Sequence, residues 1–372
     1  MAPIAAARTA GRQHFDDEHE TYRESFRTHL ERTVLGASEA WDEAGRIPDA
    51  VIRAAAEHGF VGVGVPEDMG GLGVDDVRYP AIIVEEAMHA LVPAFALVLI
   101  AHDDIPTRAL RAGTPDSRRA AWLERVVTAE LRATSALHSR IRAASSGDGL
   151  VLDGIARMVV GGIDAGLLIL LVTTDEGPRI VALERDASGL SVTPSAPPLG
   201  LRAAGFADVT LDDVHVQADG ILIDADVEEL LTVERLLLAA AAAAGARAAL
   251  GLTIDYVRDR RAFGAPIGSF QNTRQALGRV AAELDGAESV VDGCLGDHRH
   301  GRVTAGRAAA AKLLATSVHG RAVDAGVQFH GGYGYMVEYA IAPAFIDARF
   351  LSLHGGSDQE LAEAVAANLG LG

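Results

Sequence analysis

The sequence predicts a mostly helical α+β protein in which a small β-rich region lies between two helical regions. Apolar residues recur with helical spacing in residues 1–133, and short β-branched or alternating runs replace that pattern in residues 134–227. Helical spacing returns in residues 228–372. We therefore predict an N-terminal helical domain, a middle antiparallel β-barrel or sandwich domain and a C-terminal helical domain with these boundaries.

Turn signals divide the N-terminal region into separate helices. Residues 48–58 form the first clear helical pattern, with a proline that the first helical turn tolerates. The glycine-rich residues 59–73 predict a loop. Further helices are predicted over residues 81–90, 93–100 and 117–129.

Short runs separated by Gly, Asp and Pro predict the strands of the middle domain. They are residues 150–152, 158–160, 167–172, 179–183 and 207–216. In the C-terminal region, the alanine run at residues 239–244 is flanked by leucines. This pattern predicts a helix face that packs closely on another helix.

Composition limits the classes of protein that fit. Of 372 residues, 49% are apolar and 5% aromatic, which favours closely packed helices. A formal net charge of −18 argues against a nucleic-acid partner, because such proteins usually carry a basic face. The single cysteine, Cys294, excludes an internal disulfide framework and fits a reducing compartment; we expect it to be a small buried residue.

No targeting or membrane segment is predicted. Residues 1–10 contain one arginine and no apolar core of signal-peptide length. The longest apolar stretches, residues 90–101 and 236–244, are shorter than the roughly 20 residues that span a bilayer. We therefore expect a soluble, cytoplasmic protein.

Two segments in the last third of the chain carry the clearest chemical signal. They are residues 260–271, RRAFGAPIGSFQ, and residues 328–339, QFHGGYGYMVEY, followed by the Asp-Ala-Arg of 347–349. A guanidinium forms bidentate bonds to a pyrophosphate, and paired glycines let backbone N–H groups approach an anion. Each residue alone also fits a surface charge at a helix end, so the signal lies in the whole set.

In order and spacing, these segments closely resemble the acyl-CoA dehydrogenase family, where they hold the ADP half of FAD across a subunit boundary. The resemblance implies three domains, the last a four-helix bundle. It also implies a set of cofactor-binding residues: Arg260, Phe263, Gln271, Gln328, Gly331, Gly332, Ser357 and Gln359.

The resemblance extends along most of the chain. Residues 66–73, PEDMGGLG, resemble the family's Pro-Glu-x-x-Gly-Gly-x-Gly segment. Residues 84–86 and His102 fall where the family has them, and residues 211–216 resemble the strand that ends its β-domain.

The catalytic base is displaced from its most common position. Many members carry a base glutamate in the loop before the last helix, where this chain has Gly355. A smaller branch, the long-chain and isovaleryl-type dehydrogenases, has Gly or Ala there and takes its glutamate from an earlier helix, just before an arginine. The resemblance thus implies Glu234 as base, Arg235 as its supporting or substrate-binding partner, and a Gly355 N–H that polarises the thioester carbonyl. We expect His354 to line the pocket without a proton role. The alternative is that Glu234 only stabilises a helix N-terminus through the helix dipole.

The part of the family pattern that surrounds the flavin ring is eroded. The family's Thr-Glu-Pro loop is shortened to residues 136–142, and residues 158–160, Met-Val-Val, replace its aromatic-Ile-Thr strand. The glycine-rich turn before the base is also shortened, to residues 224–231. Each lost neutral hydrogen bond is worth about 0.5–1.5 kcal/mol, so three or four losses weaken flavin binding by roughly two to four decades.

Three functions fit these residues. The first is an FAD-dependent acyl-CoA or acyl-carrier dehydrogenase, a homotetramer or homodimer in lipid metabolism, forming a trans-2-enoyl product with an electron-transfer flavoprotein as acceptor by resemblance. The second is a flavin-poor partner subunit of an α2β2 dehydrogenase that lends its ADP clamp to an active subunit. The third is a protein of this shape with other chemistry, such as an oxidase or a binding protein.

Overall fold

The computed structural model describes residues 14–113 and 116–371. Its N-terminal region is helical, as predicted, and the helix predicted over residues 48–58 is confirmed as α3. The helices are α1 Asp17–His29, α2 Ser38–Ala44, α3 Asp49–Glu57, α4 Arg78–His89, α5 Pro93–Leu99, α6 Ile105–Leu110 and α7 Ser117–Val127. A π-helical turn follows α1 at Leu30–Val34, and another joins α5 to α6 at Ile100–Asp104.

The middle region forms one six-stranded sheet. Its strands are β1 Ala133–Ser146, β2 Gly149–Val159, β3 Leu167–Thr174, β4 Gly177–Glu184, β5 Leu190–Pro194 and β6 Ala207–Val216. In space they lie in the order β4-β3-β1-β2-β6-β5. The long β1 is not among the strands predicted from the sequence, because its central residues interrupt the alternation of apolar and polar side chains.

Four of the five strand pairings are antiparallel, as predicted, but β1 and β3 pair in parallel. The hairpin from β1 to β2 returns the chain to the start of β1, where Ala133 pairs with Leu167. The next strand therefore begins beside the start of β1 and runs in the same direction. Local alternation indicates a strand but not its neighbours, so this parallel pair is visible only in the structure.

The C-terminal region is helical, and the predicted fold class is confirmed. It consists of α8 Val227–Asp259, a hairpin of β7 Arg261–Ala262 and β8 Ala265–Pro266, α9 Gln271–His298, α10 Ala305–His330, α11 Ile341–Leu351 and α12 Asp358–Asn368. A short 3₁₀ turn, Gly331–Tyr335, follows α10.

Contacts group the chain into two compact units. Among the described residues, a helical unit contains residues 14–25, 81–93 and 235–371, and a sheet unit contains residues 26–80, 94–113 and 116–234. The sheet unit has its core on β1–β6, where Leu152, Leu170 and Val209 are fully buried. Its strand β3 is buried on both sides over its first four residues, which explains the continuous apolar run there.

The core of the helical unit lies between α8, α9, α10 and α11. Leu250 of α8, Leu284 of α9 and Val323 of α10 belong to this core. The six alanines at 239–244 are at most 3% exposed, so the close packing predicted for them is confirmed. Cys294 of α9 is buried as expected, and its burial raises the pKa of the thiol.

Helix α8 is long and apolar enough to cross a membrane by length and composition. However, 78% of its most apolar 18-residue window is buried inside the protein. Core helices of soluble proteins commonly pass the same test, so the length of α8 is weak support for a membrane span.

Gly245 permits a close approach of His319 and Met88 to α8 in the helical unit. A Cβ atom there would lie 2.6 Å from Cε1 of the buried His319 and 2.8 Å from Cε of Met88. We expect Gly245→Ala to destabilise the fold by about 1–3 kcal/mol through overpacking. Gly278→Ala is the matched control, because nothing lies within 4 Å of its added Cβ in α9.

The control is expected to raise stability slightly, by about 0.5–1 kcal/mol, because alanine is the better helix former. Thermal unfolding of the two variants measures this difference. Equal midpoints would show that α8 has room at Gly245.

Candidate functional site

The segment of the helical unit that is predicted to bind a nucleotide contains a two-residue hairpin turn. Its central residues, Phe263 and Gly264, have φ of 51° and 84°. Two successive positive φ values are typical of the type I′ turns that connect short β-hairpins, and glycine at the second position removes the steric cost. The turn leaves the Phe263 ring 99% exposed, so this apolar side chain faces outward from the chain.

Arg260 lies between α8 and this hairpin, at the edge of a cleft of about 410 Å³. Its guanidinium carbon is 5.8 Å from the centre of the Tyr333 ring. Gly331, Gly332 and Tyr333 also line this cleft. The structure thus brings together three of the predicted cofactor-binding residues, although Arg260 lies 71 positions before Gly331 in the sequence.

The two cleft glycines leave their backbone open. Nothing lies within 4 Å of an added Cβ at Gly331 or Gly332. Gly334 instead serves packing, since a Cβ there would lie 2.4 Å from the carbonyl oxygen of Val327. Gln328, in the last turn of α10, and Gln271, at the start of α9, are both exposed. A free guanidinium beside open backbone and an aromatic ring fits the phosphates and adenosine of a dinucleotide.

The loop after α11 carries the remaining predicted residues. Gly355 is buried with φ of 74°, and a Cβ there would lie 2.3 Å from Cδ1 of Leu238 and 3.1 Å from Cε of Lys312. No larger residue fits this position without movement of Leu238. The structure therefore explains physically why this chain has no glutamate at the most common base position.

Lys312 is a residue that the sequence analysis missed. It is fully buried in α10, and its ammonium donates a hydrogen bond of 3.0 Å to the carbonyl oxygen of Gly356. A buried ammonium needs such acceptors, so this contact fixes the loop. The available signal was that Lys312 is the only lysine among 33 lysine and arginine residues.

Ser357 is the N-cap of α12 and forms a capping box. Its Oγ accepts from the backbone N–H of Glu360, and its own N–H donates to Glu360 Oε2 at 2.8 Å. The hydroxyl predicted to bind the cofactor thus also holds the helix start. Gln359 is exposed in the first turn of α12, and His354 stacks on Phe350 with ring centres 5.0 Å apart.

Glu234 belongs to the sheet unit and is 3% exposed, whereas Arg235 belongs to the helical unit and is half-buried. The Glu234 carboxylate contacts a partner that the sequence did not suggest. Its Oε2 lies 2.6 Å from Nε2 of His138, which is 96 positions earlier in the chain. A buried carboxylate held in this way has the chemistry of a base when a substrate C–H lies against it.

His138 lies in the segment that replaces the family's Thr-Glu-Pro loop. In the structure this segment is a bulge in the continuous strand β1. The register with β3 shifts between the pairs Ala136–Leu170 and Ile141–Val172, so residues 137–140 face the single residue Leu171. The shortened segment is therefore part of the sheet.

Residues 158–160, which replace another part of the family's flavin-ring surroundings, form contacts within the sheet unit. Met158 has φ of 54°, and its N–H donates to Asp208 at 3.0 Å. Val160, where the family has threonine, is 1% exposed, and its carbonyl accepts from the Thr134 hydroxyl. Residues 158–160 are Met, Val and Val, so none of them has a side-chain hydroxyl that could bind a flavin ring.

His102 supports the start of β1. It is fully buried, and its Nδ1 accepts from the backbone N–H of Ala133 at 3.0 Å. Burial, together with the nearby Arg132 charge, lowers the pKa of His102 to about 3, so the ring is neutral. Elsewhere in the described ranges, no group of three His, Cys, Asp or Glu side chains is placed to hold a metal ion.

Two family models match the chain. The model "Acyl-CoA dehydrogenase, N-terminal domain" matches residues 16–130, and "Acyl-CoA dehydrogenase, C-terminal domain" matches residues 225–370. The acyl-CoA dehydrogenase FadE12 of Mycobacterium tuberculosis is 30% identical over 355 positions, which cover 89% of this chain and 86% of the relative.

More distant relatives agree. The mitochondrial long-chain specific acyl-CoA dehydrogenase of Mus musculus is 27% identical over 96% of this chain and 88% of the relative. The crystal structure of an acyl-CoA dehydrogenase from Geobacillus kaustophilus superposes with a TM-score of 0.87, at 27% identity, over 96% of this chain and all of that one.

The fold and the family matches define a flavin-dependent oxidoreductase that acts on the CH–CH bond of acyl-CoA. The chain belongs to the acyl-CoA dehydrogenase family. The predicted family, its FAD cofactor and its enzyme class are thereby confirmed, and the partner-subunit alternative is not favoured by these matches.

Proposed function

We propose that this chain desaturates an acyl thioester between C2 and C3 with Glu234 as the base. The observation that carries the proposal is the buried, hydrogen-bonded Glu234 carboxylate, together with a Gly355 position where a side chain needs movement of Leu238 and a positive φ. Of the two positions that the family uses for its base, only position 234 holds a carboxylate in this chain.

The chemistry assigns a separate task to each residue. Glu234 removes a proton from C2. Arg235 either supports Glu234 or binds the substrate. The backbone N–H of Gly355 polarises the thioester carbonyl, which makes the C2 proton more acidic. FAD, when bound, accepts the hydride that leaves C3.

The predicted cofactor-binding residues form a nucleotide clamp that holds the ADP half of FAD. Arg260 supplies charge to the pyrophosphate, and Gly331 and Gly332 supply backbone N–H groups beside it. The exposed Phe263 covers the adenosine part, while Gln271 and Gln328 add amide contacts. Ser357 and Gln359 contribute from the start of α12. In the family this clamp acts across a subunit boundary, and the outward-facing Phe263 supports the same arrangement here.

The assembly that follows is an oligomer of this chain, with a tetramer as the family-based proposal. Cytoplasmic localisation, use of an electron-transfer flavoprotein and a role in fatty-acid metabolism belong to the same proposal. The acyl group is carried by CoA in the first instance, with an acyl-carrier protein as the other candidate carrier.

The chain purified alone tests the proposal through its absorption spectrum and released FAD per chain. About one FAD per chain, with enoyl product formed from saturated acyl-CoA, is expected. A protein that stays colourless with added FAD and forms no product would instead support the partner-subunit function.

Arg260→Ala tests the clamp directly. Loss of a charged hydrogen-bond donor is expected to weaken FAD binding by about 10- to 100-fold, as measured by titration of the apoprotein. Arg258→Ala is the control, because Arg258 is 73% exposed at the same end of α8 and faces Asp255 at 3.7 Å. Equal FAD affinity of both variants would show that Arg260 does not bind the cofactor.

A further inference from the structure

His138 contacts the carboxylate that the proposed function makes the base. The distance from His138 Nε2 to Glu234 Oε2 is 2.6 Å, within the range of a charge-assisted hydrogen bond. The Glu234 side chain is 4% exposed, whereas the His138 side chain is 29% exposed. The Glu234 carboxylate is thus enclosed by protein, whereas the His138 ring is partly open to solvent.

The bulge in β1 is built to hold His138 in place. Leu137, the residue before it, is 3% exposed and anchors the bulge in the core. Ser139, the residue after it, donates its hydroxyl to the carbonyl oxygens of Leu171 at 3.1 Å and Ala136 at 3.3 Å. His138 therefore lies between two fixed neighbours, although its own strand register is broken.

The direction of the hydrogen bond follows from charge. A carboxylate that serves as a base is ionised and only accepts hydrogen bonds. Nε2 of His138 therefore carries the hydrogen and donates it to Oε2. The bond fixes the plane of the Glu234 carboxylate and uses one of its two oxygens.

We infer that His138 is a positioning residue for Glu234: by donating to Oε2, it fixes the orientation of the carboxylate that removes the C2 proton. This inference rests on the proposed function, because it needs Glu234 as the base. It also gives a role to the shortened β1 segment. The segment that lost the family's flavin-loop residues orients the base through an imidazole.

Three substitutions at one position separate a hydrogen-bond role from a structural one. His138→Gln keeps an N–H donor on a side chain of similar reach, whereas His138→Asn is polar but too short. His138→Leu fills similar space without a donor. His215→Leu is the matched control, because His215 is a 59% exposed histidine on β6 of the same unit.

The measurement is exchange of the C2 protons of a saturated acyl-CoA with D₂O, followed by mass spectrometry, alongside kcat, KM and FAD content. The Asn and Leu variants are expected to exchange and turn over about 10- to 100-fold more slowly, with KM and FAD content nearly unchanged. The Gln variant is expected to lie within about 3-fold of the parent, since the donor is restored. The His215 variant should match the parent.

Several results would overturn the inference. Unchanged exchange in the Asn and Leu variants would show that the bond does not position the base. Equal loss in the Gln variant, or loss of FAD from the Asn variant, would assign His138 to another task. Glu234→Gln, run in parallel, keeps the two claims apart. If it still exchanges C2 protons, the proposed base is wrong; if it does not, a failure at His138 concerns this inference alone.

Discussion

Glu234→Gln is expected to lower kcat by about 10²- to 10⁴-fold while the protein stays folded and keeps its FAD. The amide has nearly the same shape as the carboxylate, and its oxygen still accepts the hydrogen bond from His138. What it loses is the ability to take a proton from C2. Steady-state turnover of acyl-CoA and FAD content per chain measure the two parts of this expectation.

The control for this substitution is Glu228→Gln. Glu228 lies in the first turn of the same helix, α8, and is exposed. It carries the same charge near the same helix N-terminus, so it reproduces any effect of the helix dipole without the buried site. Full activity of the Glu234 variant, or an equal loss in both variants, would show that Glu234 is not the base.

Gly355→Glu is expected to destabilise the protein by about 2–5 kcal/mol, although many family members carry their base there. Positive φ at a residue with a side chain costs about 1–2 kcal/mol, and overpacking costs about 1–3 kcal/mol more. The overpacking arises because the added Cβ would lie 2.3 Å from Leu238. For the same reason, the substitution is not expected to restore activity to the Glu234→Gln variant.

Gly147→Glu separates the two costs. Gly147 has φ of 64°, and nothing lies within 4 Å of an added Cβ, so this control carries only the cost of its backbone conformation. Thermal or denaturant unfolding of both variants measures the difference, which we expect to be about 1–3 kcal/mol. Equal stability of the two variants, or restored turnover in the Gly355→Glu, Glu234→Gln double variant, would show that position 355 is open to a carboxylate.

The candidate nucleotide clamp could be proposed from the sequence because its residues lie in two compact segments. Arg260 and Phe263 lie within one short stretch, and Gly331 and Gly332 are adjacent, so spacing along the chain carries the pattern. The structure adds the physical reason for the Phe263-Gly264 pair, which is a turn with two positive φ values. It also places Arg260 and the glycines around one cleft.

The surroundings of Glu234 were much less predictable. Its partner His138 is 96 positions away and lies in a segment that reads as a shortened loop. Periodicity describes which side of one strand or helix is buried, but it contains no information about which distant segment lies opposite. The bulge in β1 adds to the difficulty, because it breaks the alternation that identifies a strand.

The sequence by itself determined the order of helical and β-rich regions, the family and the position of the candidate base, because these depend on residue types at local spacing. Only the tertiary structure decided the parallel pairing of β1 with β3, the closure of position 355 by Leu238 and the contact between His138 and Glu234. Each of these joins segments that are far apart along the chain. Their approach follows from how strands and helices pack, which no single segment specifies.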